Sequence, residues 1–168
     1  MTKPRIDVFE RAIQKADQWI DDLMDRLGWE DRHQTYEALG AVLHVLRDRL
    51  PVDEAVDLGA QLPLLLRGLF YQNWDVSVNP EKYRHAQEFL RHIRARLVDL
   101  RLEFVPEEHL VAGVASLLAD RLSEGQLASV RRVLPSEIRE FFGETGRPDS
   151  GSPKRWADEV GGWDKSVG

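Results

Sequence analysis

The 168-residue chain contains no cysteine. Disulfide frameworks, thiolate metal sites and a cysteine nucleophile are therefore excluded at the outset. Long apolar runs are missing too. The longest clusters, such as residues 62–66, fall far short of the ~20 residues that a membrane-spanning helix needs. Cations are in short supply, with 23 Lys and Arg against 29 Asp and Glu and a net charge of −6. Such a balance argues against nucleic acid as a partner, because phosphate-backbone binding needs a net cationic face to release counterions. No segment alternates with a two-residue period and β-branched enrichment, so no strand is placed. Nucleophile-elbow, Walker, dinucleotide-glycine and zinc-protease signatures are all missing. Residues 1–9 are polar and carry no secretory apolar stretch. These absences together predict a cytoplasmic protein with no cofactor, no metal and no membrane contact.

What the chain does have is a repeat. A gap-free shift of 72 positions lays Asp48-Arg49-Leu50 on Asp120-Arg121-Leu122, Leu62-Pro63 on Leu134-Pro135, Arg67 on Arg139 and Phe70 on Phe142. Nine identities fall in the 35-residue window 36–70 against 108–142. The leading helices pair at an offset of 70: Phe9, Ile13, Ala16, Ile20, Leu23 and Leu27 step along one helical face as Ala86, Leu90, Ile93, Leu97, Leu100 and Phe104 do. The two extra residues are placed at Val105-Pro106.

Stop signals cut each copy into four helices. The first runs over 7–27 and ends at Gly28, a left-handed terminator. The second starts at Asp31, with Gln34 as its capping-box partner, and stops before Pro51. A short third helix covers 53–61, and Pro63 suits the first turn of a fourth. In the second copy Asn79 is read as an N-cap with Pro80 at the first helical position. Pro106 opens the next helix, Ser123 with Gln126 caps another, and Pro135 opens the last. The expectation is an all-α protein of about eight helices in two pseudo-repeated four-helix lobes that form one compact unit. Residues 1–74 are the first repeat and 75–143 the second. Residues 144–168, rich in Gly, Pro, Ser and charge, are expected to be a flexible tail.

The run Tyr36-Glu37-Ala38-Leu39-Gly40-Ala41-Val42-Leu43-His44-Val45-Leu46-Arg47-Asp48-Arg49-Leu50-Pro51 continues through Gly59-Ala60-Gln61-Leu62-Pro63 and Arg67-Gly68-Leu69-Phe70-Tyr71 to Trp74. It resembles a bacterial helical family known as domain of unknown function 2267, over roughly residues 7–142. The resemblance implies a helical fold and supplies no activity and no ligand residue. The second copy departs from the pattern at Ser136 and Glu137, where the first has Leu64 and Leu65.

The residues themselves offer several candidate sites. Arg67 and Arg139 are suited to fixing a carboxylate or phosphate, or to pairing with a neighbour such as Asp57, Glu54 or Asp48. Tyr71, Trp74 and Tyr83 flank the connector between copies, where an aromatic patch either binds a ligand or seals the junction. Arg84 belongs to a basic stripe with Arg91, Arg94 and Arg101, opposite in sign to Glu10, Asp17, Asp21 and Asp25 on the first helix; the stripes either pair within the chain or join copies. Trp156, Val160 and Trp163 share a helical spacing suited to a groove. His85, Glu88 and His92 share a helix face but lack the second set of ligands that a metal bundle requires. The arginines of the two Asp-Arg-Leu triplets are expected to cap helix ends. The leading expectation is a protein-interaction or scaffolding module that self-associates. The alternative is a small-molecule binder, an enzyme among the options, with its pocket at the junction of the copies.

Overall fold

A computed structural model describes residues 3–102 and 104–143. Among these the regular structure is helical throughout. The order is α1 (Asp7–Leu27), α2 (Arg32–Arg49), α3 (Val52–Ala60), α4 (Leu64–Tyr71), a 3-10 turn (Val76–Val78), α5 (Ala86–Asp99), α6 (Glu107–Arg121), α7 (Glu124–Val133) and α8 (Ser136–Arg139), with a closing 3-10 turn at Glu140–Phe142. The Trp156–Trp163 segment lies outside the described residues.

Local chemistry sets most of these boundaries. Asp7 and Glu10 lie in the first turn of α1 and Arg26 in its last, signs that suit the helix dipole. Gly28 ends α1 with φ 71°, a conformation that costs glycine nothing. Asp31 accepts the Gln34 N–H at 2.9 Å, and Ser123 accepts that of Gln126 at 3.2 Å. Pro63 and Pro135 enter α4 and α8 with nearly the same backbone, φ −56° at both and ψ 152° and 150°.

The start of α5 differs from the sequence expectation. Asn79 does not cap a helix and Pro80 does not open one. The Asn79 side-chain amide instead donates to the carbonyls of Arg47 (2.6 Å) and Leu50 (2.9 Å), and the Glu81 N–H donates to Asp48 O (2.8 Å). Residues 79–85 are thereby tied to the end of α2, whose last carbonyls need donors.

The core is built around α2 and α6. Ala38, Leu39, Ala41, Val42, Leu43, Val45 and Leu46 of α2 are all buried, as are Leu110, Val111, Val114, Ala115, Leu117 and Leu118 of α6. A helix apolar on nearly every side belongs in the middle of a bundle. α1 packs on α6 as well as on α2, and α5 packs on α2 as well as on α6, so the first helix of each half rests on the second helix of the other. Positions aligned by the sequence offsets of 70 and 72 make matching contacts across this crossing. Arg26 reaches Asp120 at 2.5 Å, and its counterpart Arg96 reaches Asp48 at 3.0 Å. The counterparts Glu54 and Gln126 bond to each other at 3.0 Å, where α3 meets α7. Leu50 and Leu122, Leu62 and Leu134, and Phe70 and Phe142 are buried in both halves.

The apolar seam is covered over only part of its predicted length. Phe9 and Ile13 are 57% and 41% exposed, and Phe104 is 96% exposed. The first turns of α1 project past the helices that cover its later seam, and Phe104 lies beyond the end of α5.

Candidate functional site: a cationic cleft beside Trp19

A cleft of about 570 Å³ opens between the N-terminal half of α1, the turn from α3 into α4, and the C-terminal end of α6. Helical spacing places Val8, Arg11, Ala12, Lys15 and Trp19 of α1 along one wall. Ala60, Gln61, Leu62, Pro63 and Leu64 form the opposite wall, with Arg67 and Arg121 completing the lining. Its four ionisable residues are all cations: Arg11, Lys15, Arg67 and Arg121. In a chain with a net charge of −6, a concave surface without a carboxylate is a marked local departure from composition.

Each cation is held differently. Arg67 donates from Nη2 to the carbonyls of Ala60 (3.0 Å) and Leu62 (3.2 Å), which locks its guanidinium against the α3–α4 turn. Its Nε is buried without a hydrogen-bond partner among the described residues. Arg121 bonds Asp22 at 3.1 Å and lies over the Trp19 ring, 5.8 Å from its centroid. Asp22 is shared with Arg26 at 2.8 Å. Partial burial would raise the Asp22 carboxyl, but the hydrogen bonds from Arg26 and Arg121 prevail and hold it below the usual carboxylate range. Arg11 and Lys15 are exposed and take part in none of the ion pairs among the described residues. α4 begins at the cleft without a side-chain cap, adding unsatisfied N–H groups to the same sign of field.

A family model described as "Uncharacterized conserved protein (DUF2267)" matches residues 16–141. The chain belongs to this family. The DUF2267 span takes in Trp19, the α3–α4 turn, Arg67 and Arg121, whereas Val8, Arg11, Ala12 and Lys15 precede it. Comparison with curated proteins finds no match.

Of the sequence-predicted site residues among the described ones, only Arg67 lines this cleft. Its partners are backbone carbonyls rather than Asp57, Glu54 or Asp48. Arg139 makes the corresponding bond to Leu134 O at 2.9 Å. Tyr71 and Trp74 stack with centroids 5.7 Å apart, and Trp74 donates to Asn79 Oδ1 at 2.7 Å. Tyr83 is buried under Arg49 (5.6 Å to the ring centroid) and stacks on His92 at 4.5 Å. That burial pushes its phenol well above the ordinary range. The connector aromatics thus pack on one another and on the chain. Arg84 is exposed. Asp21 of the acidic stripe binds Arg32 at 2.5 Å, and Arg94 of the basic stripe binds Glu107. The triplet arginines leave their own helix ends, Arg49 for Tyr83 O at 2.8 Å and Arg121 for Asp22, because each faces an acceptor from another element. His85 bonds Glu137 at 3.2 Å.

Sequence reading missed Arg11, Lys15, Trp19 and Arg121 as a group. Arg11, Lys15 and Trp19 follow a four-residue step on α1, off the apolar seam, and that step was the available signal. Their meeting with Arg67 and Arg121 depends on tertiary packing alone.

Proposed function

We propose that the chain is a binding protein whose cleft takes an anionic ligand with an apolar body. The observation that carries this reading is a concave site lined by four cations and no carboxylate, with the exposed Val8 and Leu64 as apolar surface and Trp19 beneath. Its volume falls within the range of roughly 300–1,000 Å³ typical of small-molecule sites. Arg67, held by the turn, supplies a pre-oriented charge, while Arg11 and Lys15 supply attraction at the mouth. The lining holds no imidazole, carboxylate or hydroxyl that could move a proton near neutral pH, so the chemistry on offer is recognition rather than catalysis.

Titration with 1-naphthyl phosphate tests the reading through quenching of Trp19, with Trp19→Phe as the spectroscopic control. Saturable quenching that weakens with added salt is expected. The double variant Arg11→Glu/Lys15→Glu is expected to lose roughly ten-fold or more in affinity, about 1.4 kcal/mol. Unchanged affinity in that variant would refute the site.

A self-associating module is the second reading, and a different surface favours it. Ile6 at the N-cap of α1 and Phe9 and Ile13 on it are 60%, 57% and 41% exposed and extend the line of the buried Ile20, Leu23 and Leu27. A second copy is the occupant that this reading commits to, since α1 carries exposed Asp17 and Asp25, while Arg84 just before α5 and Arg91 on it are exposed. Sedimentation velocity is expected to show a concentration-dependent dimer that Phe9→Glu abolishes. A single monomer species at high protein concentration would discard it.

A further inference from the structure

The cationic cleft has apolar lips. Val8 and Leu64 line it from opposite walls and are 52% and 54% exposed. The next residue on each wall, Phe9 and Leu65, lies outside the lining and is 57% and 47% exposed respectively. At 3.6 residues per turn, the side chains fall into sectors round the first turns of α1. Val8, Ala12, Phe9 and Ile13 form one apolar arc. Arg11 and Lys15 border it along one edge, and Asp7, Glu10 and Asp17 lie beyond those cations, away from the arc. Glu10 is engaged by Arg5 at 3.5 Å.

A dissolved anion would fill the cleft and leave Phe9 and Leu65 in water. A bilayer surface would cover them together with the lips. Resting on the cleft's being an anion site, we propose that its ligand is the phosphate headgroup of an anionic phospholipid, met at a bilayer into which Val8, Phe9, Leu64 and Leu65 dip. An amphipathic helix face with cations along its border binds an interface in this way, its apolar side chains entering the boundary with the acyl chains while its cations meet phosphates. Arg11 and Lys15 suit that boundary, because their long stems keep the charge at headgroup level. Among the described residues no helix is long and apolar enough to cross a membrane, and a surface contact requires none. The sequence expectation of no membrane contact rested on the lack of a spanning run. This surface joins two separate segments, so no run marks it. The net charge of −6 opposes approach to an anionic surface, but charges more than about 10 Å away are largely screened at ordinary salt, and the face in contact is cationic.

Co-sedimentation of the full-length protein with vesicles of phosphatidylcholine and phosphatidylglycerol in equal parts tests the proposal. Binding is expected to be roughly ten-fold or more tighter than to phosphatidylcholine alone, and to fade as salt rises. Two double variants at exposed positions separate the lips from the cations. Phe9→Ser/Leu65→Ser should weaken vesicle binding roughly ten-fold and leave 1-naphthyl phosphate binding unchanged, since both residues lie outside the lining. Arg11→Glu/Lys15→Glu should weaken both. Vesicle binding that survives either double variant, or that is equal on phosphatidylcholine alone, would overturn the proposal. If 1-naphthyl phosphate binds and no vesicle does, the membrane proposal fails and the anion site stands. If vesicles bind with the expected losses and 1-naphthyl phosphate does not bind, the small-ligand reading fails and the lipid surface stands. A dimer that Phe9→Ser/Leu65→Ser abolishes, in a protein that binds no vesicle, would assign the lips to a second copy instead.

Discussion

Arg47→Ala is expected to destabilise the protein by about 3–5 kcal/mol, the cost of breaking a buried charged network on one side. Arg47 is 2% exposed. Its Nη1 donates to the carbonyls of Phe70 (2.8 Å) and Gln72 (3.0 Å), its Nε to Asp48 (2.9 Å), and its guanidinium lies 5.8 Å from the Trp74 centroid. Alanine would leave the C-terminal carbonyls of α4 without donors and open a void beneath Trp74. Lysine would not rescue it, because a point charge cannot bridge two carbonyls and a carboxylate with a planar fork. Asp48 would keep Arg96 at 3.0 Å, which limits the loss. Urea denaturation should show a large fall in midpoint at constant slope. A loss below about 1 kcal/mol would mean that water readily replaces the guanidinium.

The second large effect concerns the repeat. Phe70 and Phe142 are 0% and 3% exposed. Truncating either to alanine is expected to cost about 3–5 kcal/mol. Because α1 rests on α6 and α5 on α2, each single variant should still unfold in one transition, with calorimetric and van't Hoff enthalpies equal. Two separated transitions, one shifted by Phe70→Ala and the other by Phe142→Ala, would show halves that fold independently.

Much of the fold was legible because it rests on local signals. Gly28, Asp31, Pro63, Ser123 and Pro135 stand where caps and entries belong, and they do that work in the structure. The seam residues Leu23, Leu27, Ile93 and Leu97 are buried as their spacing predicts. Asn79-Pro80 misleads because the pair is equally good helix-starting chemistry and turn chemistry. The unsatisfied carbonyls at the end of α2, remote in sequence, decide between the two. The site was far less legible. Arg67 stands out as a repeated arginine, but Arg121 lies 54 positions further on and Arg11 56 positions before it, and only the packing of α1 on both α4 and α6 brings them together. The connector aromatics attract attention for their composition, yet Trp74 and Tyr83 lie under Arg47 and Arg49, Tyr83 stacks on His92, and Tyr71 and Trp74 donate to Val56 O and Asn79.

The most direct test of an anion-binding cleft is where a ligand lands. Amide shift mapping of the ¹⁵N-labelled protein during titration with 1-naphthyl phosphate should move the signals of Val8, Ala12, Lys15, Trp19, Leu64 and Arg67 together, along one binding curve. Shifts centred on Tyr71, Trp74 and Tyr83, or on the α5 arginines, would contradict the assignment of the site to this cleft.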